Sequence, residues 1–172
     1  VHRTSSGSLY LSSNTLTQEL ALLLNACATL RQRGYENYTL LVVGSGSQQE
    51  ELEAFCQANH LKDRVQWAGR ISYDQIGSYF RGADVFVFPT QEDTWGVVAL
   101  EAMLLGKPIL CSRGAGTSEL VVNGENGYVF APDAAEELAD LMQTFLDHPE
   151  MIAAMGERSQ QIMRNVWQTS LN

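Results

Sequence analysis

The run "YTLLVVG", Tyr38 to Gly44, carries four consecutive apolar residues where a half-exposed strand would alternate. A strand with water on one side shows a polar residue at every second position. An unbroken Leu-Leu-Val-Val run needs cover on both faces, which parallel sheets obtain from helices above and below. The remaining strand segments have the same short, bounded form: "LYLS" before it, then "RVQWAG", "DVFVFP", "KPILCS" and "NGYVFA".

Helical signals fill the intervals. Thr15, with Gln18 three residues later, forms a capping box, and Leu16, Leu20, Leu23, Leu24, Cys27 and Leu30 follow at helical spacing until Gly34 supplies a stop. Ser47 with Glu50 predicts a second cap, before a helix whose apolar side carries Leu52, Phe55 and Cys56. Ser72 with Gln75 predicts a third, before Ile76, Tyr79 and Phe80, and Gly106 ends the helix that follows "DVFVFP". Two helices close the chain, one over about Ala134 to Leu146 and one from near Pro149 that bears Ile152, Met155 and Ile162. Strands alternating with helices predict an α/β fold: a doubly wound parallel sheet of about six strands with helices on both faces. Residues 1–8 read as a linker or cut end, and 9–172 as a single domain.

Charge removes several classes of partner. With 20 acidic against 11 basic residues the net charge is −9, which opposes a nucleic-acid surface or a polybasic membrane patch. No apolar run approaches the roughly 18 residues of a spanning helix. Cys27, Cys56 and Cys111 are far apart in apolar surroundings and read as buried, reduced thiols of a cytoplasmic protein. His2, His60 and His148 are equally scattered, so no metal site is expected.

In a doubly wound sheet, ligands bind beyond the carboxyl ends of the strands. Two loops there draw the functional reading. In "VVGSGSQQEEL", Gly44 and Gly46 flank Ser45 just before a helix. The dinucleotide fingerprint of a dehydrogenase fails, because Gln49 takes the third glycine position, and the G-x-G remains open to a plain tight turn. In "FPTQEDTWG", Glu92, Asp93 and Thr94 precede a helix start whose backbone N–H groups and dipole suit a phosphate, although acidic residues favour first turns in any case.

The helix that follows holds one charge. From Gly96 to Leu105 every residue except Glu101 is apolar or glycine, which predicts a helix buried all round. A carboxylate among Val97, Val98, Leu104 and Leu105 costs several kcal/mol unless it is paired or hydrogen-bonded. Two turns inside the helix, it can still reach a cleft along one side. The alternative is a structural carboxylate satisfied by a backbone group.

The segment "VFVFPTQEDTWGVVALEAMLLGKPIL" resembles the donor-site segment of retaining GT-B glycosyltransferases of family four: strand, Pro-Ser/Thr, then E-x7-E through "EGFG…LEAM…G-P". The resemblance extends over "LLVVGSGSQQEEL", "RVQWAGRISYDQIGSYFRGADVFVFP" and "GAGTSELVVNGENGYVFAPDAAEELA", in order, across nearly the whole chain. It implies the C-terminal, nucleotide-sugar-binding half of a two-domain enzyme. It further implies retention of anomeric configuration, no metal, and a UDP- or GDP-linked sugar as donor substrate rather than a cofactor. Glu101 then matches the glutamate that accepts ribose hydroxyls, and Asp93 the one that holds donor-sugar hydroxyls. The backbone N–H groups of Trp95, Gly96 and Val97 would meet the distal phosphate, Gly44 and Gly46 would admit the nucleotide closely, and Arg70 with Ile71 would border the base. The implied partner is an N-terminal acceptor-binding domain, through which peripheral membrane contact is open.

Three departures stand against that pattern. Asp93 is one methylene shorter than the usual glutamate, and Glu92 could replace it only at a spacing of nine. Ser13 and Gln18 stand where the family places an arginine and a lysine to neutralise the diphosphate. The chain stops at "NVWQTSLN", where the family's closing helix would cross to the other domain. A non-catalytic module that holds a nucleotide or a protein is the alternative to the enzyme.

Overall fold

The apolar run from Leu40 to Val43 divides between two cores, as an unbroken strand must. A computed structural model describes residues 8–13, 17–44, 46–91 and 96–172. Strand β2 (Tyr38–Val43) lies between β1 (Ser8–Ser13) and β3 (Val65–Gly69). Beyond β1 follow β4 (Val85–Phe88), β5 (Ile109–Ser112) and β6 (Gly127–Phe130), giving one sheet in the order β3-β2-β1-β4-β5-β6. Every pairing is parallel. All six strand segments of the sequence are present, the first beginning at Ser8, a residue expected in the linker.

Leu40 and Val42 face one side with Val85, Val87 and Leu110. Onto this side pack α1 (Thr17–Gln32), α2 (Gln49–Ala58) and α5 (Ala135–Asp147), through Leu23, Leu24, Cys27, Cys56, Met142 and Phe145 among others. Leu41 and Val43 face the other side with Phe86, Phe88 and Ile109. There α3 (Tyr73–Gly82), α4 (Val97–Leu104) and the second half of α6 (Met151–Ser170) supply Phe80, Ala99, Ala102, Met103 and Met163. The period-2 pleat thus sends alternate residues of one apolar strand into two separate cores. The hydroxyl of Tyr10, buried in β1, donates to the Met142 carbonyl at 2.6 Å and joins sheet to α5.

The glycine stops hold: Gly34 and Gly106 end α1 and α4 with φ of 86° and 78°. Ser72 leads α3, and its N–H donates to Gln75 Oε1 at 3.4 Å. Thr15 lies outside the described residues. The cap at Ser47 is a correction: α2 begins at Gln49 behind Gln48, which makes no side-chain capping bond. The last helix starts at Met151, two residues after Pro149. A 3-10 turn over Gly116–Leu120, between β5 and β6, has no signal in the sequence reading.

The helix expected to be buried all round is also a correction. Ala99, Ala102 and Met103 are buried, but Val97 is 61 % and Leu104 50 % exposed. A helix laid on one face of a sheet buries one flank, and the described residues leave much of the other open. The three cysteines are buried and free, and burial pushes the thiols up to about 12, 11 and 12 for Cys27, Cys56 and Cys111.

Candidate functional site

The strand order reverses between β1 and β4, and the helices that follow them, α1 and α4, pack on opposite faces of the sheet, the arrangement that opens a crevice at the carboxyl edge. The loops after β2, β3 and β5 border the same edge.

On the side of β2 and β3 the loop starts are joined backbone to backbone. The N–H of Gly44 donates to the Gly69 carbonyl at 2.8 Å, with φ of 117° at Gly44 and 72° at Gly69. Those dihedrals are open to glycine and strained for other residues, which is why one stands just past β2 and one ends β3. The bond sets Gly44 beside the turn that carries exposed Arg70 and half-buried Ile71, the latter packed against the second core. Gly46 is exposed.

On the side of β4 the anchor comes from α1. Glu19, 2 % exposed, accepts from the Thr90 hydroxyl at 3.1 Å and from the Gln91 N–H at 3.0 Å. The carboxylate in the first turn of α1 therefore holds Thr90 and Gln91, just beyond the carboxyl end of β4. Gly114 closes against the same stretch, since a Cβ there would stand 2.0 Å from the Gln91 carbonyl oxygen. Gly96 caps α4, and a Cβ on it would meet the Phe88 ring at 2.3 Å. Its N–H donates to the buried Thr117 hydroxyl at 3.1 Å, so that amide, expected at a phosphate, has a partner within the fold.

Glu101 resolves the question of its own burial. It is half-buried on the flank of α4 that also carries Val97 and Leu104. Its Oε1 accepts from the Tyr73 hydroxyl at 2.5 Å, and Tyr73 is the first residue of α3 and 75 % exposed. The carboxylate raises the Tyr73 phenol above its ordinary range, first by accepting its proton in the hydrogen bond and then by charge repulsion against the phenolate. The bond spans the mouth of the crevice from α3 to α4.

Gly44, Gly46, Arg70, Ile71, Gly96 and Val97 lie on loops or helix starts of the carboxyl edge, and Glu101 lies one turn inside α4. Ser45, Glu92, Asp93, Thr94 and Trp95 lie outside the described residues, and with them the Asp93 carboxylate and the Trp95 amide. Ser13 is the last residue of β1, paired in register with Val43, and Gln18 is exposed in the first turn of α1. Glu19, Tyr73 and Thr117 went unpredicted. Glu19 had a signal: it stands three residues after Leu16 and four before Leu23, on the apolar stripe of its helix. Tyr73 and Thr117 had none.

The comparisons with known proteins agree with this architecture. The family model for glycosyl transferases group 1 matches residues 7–162. The α-D-kanosaminyltransferase of Streptomyces kanamyceticus is 28 % identical over 151 residues, covering 88 % of this chain and 39 % of that protein. The chain thus spans about two-fifths of that relative's length. Among solved structures, Anabaena Alr3699/HepE in complex with UDP superposes with a TM-score of 0.83 at 24 % identity, over 94 % of this chain and 45 % of that one. The C-terminal domain of the group 1 glycosyl transferase LpcC from Francisella tularensis gives a TM-score of 0.82 at 19 % identity, over 94 % of this chain and 86 % of that domain. On the family match, which covers well over half of its length, the chain belongs to the glycosyl transferases group 1 and has the α/β architecture of a GT-B C-terminal domain.

Proposed function

We propose that the crevice at the carboxyl edge binds a nucleoside diphosphate sugar, UDP- or GDP-linked, and that the whole protein transfers the sugar to an acceptor with retained configuration and without a metal. The acceptor site belongs to a further, N-terminal domain, of which residues 9–172 are the donor-binding counterpart. The observation that carries the reading is the position of Glu101. Its carboxylate sits at the crevice mouth and is held by an exposed phenol, so it can turn to ribose hydroxyls without stranding an internal donor.

The chemistry assigned to this chain is binding and electrostatic stabilisation. Glu101 takes the ribose hydroxyls, the turn at Arg70 and Ile71 borders the base, and Asp93, beyond the described residues, takes hydroxyls of the sugar. As the glycosidic bond breaks, negative charge grows on the leaving diphosphate, which the dipole at the N-terminus of α4 stabilises. Gly44 and Gly46 leave room for the diphosphate to lie close to the backbone. The family match and the UDP complex of the Anabaena relative support the ligand class. The free, buried thiols support a reducing compartment, the cytoplasm. Among the described residues, no helix is long and apolar enough to cross a membrane.

A second reading, a nucleotide-binding module without chemistry, is favoured by Ser13 and Gln18 in place of a basic pair. Calorimetric titration with UDP and GDP tests the shared core of both. Glu101→Gln is expected to weaken binding by about tenfold or more, the loss of a hydrogen bond to a charged group. Equal affinity in parent and variant refutes the donor site. Sugar transfer by the full-length protein, lost in Asp93→Asn, separates the enzyme from the module.

A further inference from the structure

Tyr73 occupies the place of a ligand group. Its O–H donates to Glu101 Oε1 at 2.5 Å, at the short end for a hydroxyl on a carboxylate. Chemically this is the contact a ribose hydroxyl would make. Geometrically it lies where a nucleoside would lie: Tyr73 follows Ile71 by two residues on the base side, and its side chain reaches α4 across the mouth. The side chain belongs to neither core, and with 75 % of the residue exposed, little opposes its rotation into water.

We infer that Tyr73 is a built-in competitor of the nucleoside, its phenol holding the Glu101 carboxylate until ribose hydroxyls displace it. The inference rests on the donor-site reading above and adds to it a residue that sets affinity. An ionised carboxylate can accept several donors, but a ribose hydroxyl entering along the direction that the phenol now takes to Oε1 must first turn the phenol out. A displaced phenol recovers a hydrogen bond from water, so the competition is modest, as for other solvent-facing charged contacts. In the empty site the same bond keeps the carboxylate aimed at the mouth.

Calorimetric titration of UDP and GDP into the parent, Tyr73→Phe, Glu101→Gln and the double variant tests this. Phe keeps the ring and removes only the donor, and an exposed position leaves folding intact. Tyr73→Phe is expected to tighten binding about threefold in the parent, an exposed-contact effect, and to have no effect beside Glu101→Gln. In 13C-tyrosine spectra, the Tyr73 Cζ resonance is expected to move on saturation with UDP toward its position in Glu101→Gln. Unchanged or weaker binding in Tyr73→Phe, or a Tyr73 resonance that UDP leaves in place, overturns the inference; if Glu101→Gln still weakens binding, the donor site stands without it. If Glu101→Gln binds like the parent, or the parent binds neither nucleotide at millimolar concentration, the donor-site reading falls and the competitor with it.

Discussion

The Glu19 carboxylate and the Thr90 hydroxyl, 71 positions apart in the chain, meet at 3.1 Å in the interior beneath the crevice. The Gln91 N–H shares the same oxygen at 3.0 Å. Glu19→Ala leaves two buried or half-buried donors unanswered, each worth about 1–3 kcal/mol when unsatisfied. The variant is expected to unfold at lower denaturant with an unchanged slope, and to lose nucleotide affinity because Thr90 and Gln91, at the crevice edge, lose their anchor. Equilibrium urea unfolding beside the parent checks the first effect and titration the second. Parent-like stability would show that the carboxylate is dispensable.

The expectation that Ser13 and Gln18 stand in place of a basic pair has a measurable consequence. A nucleoside diphosphate brings about two negative charges to a chain of net charge −9. Helix-end interactions contribute roughly 0.3–1 kcal/mol each at exposed sites, against about 1.5–3 for a charge-assisted hydrogen bond. The parent is therefore expected to bind in roughly the high micromolar range or weaker. Ser13→Arg/Gln18→Lys is expected to bind more tightly, with the gain shrinking as salt rises because the added attraction is screened. Titration at two ionic strengths decides. A double variant no better than the parent would remove Ser13 and Gln18 from the phosphate site, and exposed Arg70 and Arg113 would be tested next.

Two helical glycines are expected to respond with opposite signs. A Cβ on Gly156 of α6 would stand 2.0 Å from the Gly106 carbonyl oxygen, in the turn that ends α4. Gly156→Ala must push α6 off that turn, at a cost of about 1–3 kcal/mol. Gly77 of α3 has open space within 4 Å of its Cβ position, so Gly77→Ala is expected to stabilise by about 0.5–1 kcal/mol. Thermal unfolding of both variants checks the pair, and a stabilising Gly156→Ala would contradict the packing of α6 on the α4 turn.

Alkali is expected to unfold the protein steeply. Desolvation pushes the Cys27 and Cys111 thiols from 9.0 to about 12 in the fold. Below pH 9 both states hold these protons and stability is unaffected. Between about 9 and 12 the unfolded chain releases them and the native state does not, so stability falls with rising pH. Each thiol removes about 1.4 kcal/mol per pH unit in that window. Burial also holds the Tyr10 and Tyr38 phenols up, which steepens the fall further above pH 10. Denaturation at pH 8 and pH 10.5, with Cys27→Ala and Cys111→Ala as controls for the slope, measures it.

How much of this was written in the sequence depends on whether a feature repeats along the chain. The sheet was legible because every strand is a short apolar run, and the second one could be covered only from both sides. Gly34 and Gly106 were legible because a left-handed residue after an apolar stripe has few other uses. Ser47 misled: its spacing to Glu50 fits a capping box, but the chain turns one residue later and Gln48 takes the end of the helix. Glu101 was read among buried neighbours that the structure leaves partly open, because composition alone does not tell which flank of an apolar helix the rest of the fold leaves uncovered. Tyr73 and Thr117 show where such reading stops. Each meets a partner 28 or 21 positions away, and single contacts between elements so separated leave no periodic trace.

The Gly44–Gly69 bond gives the crevice an uneven stiffness. One lip is riveted through the main chain, where no side-chain rotation can release it, and the other is moored to α1 by a buried carboxylate. Across the opening, by contrast, the lips are fastened by a phenol standing in solvent. Whatever enters therefore meets a bed that does not yield beneath a rim that does, and adjustment to its shape falls to the rim.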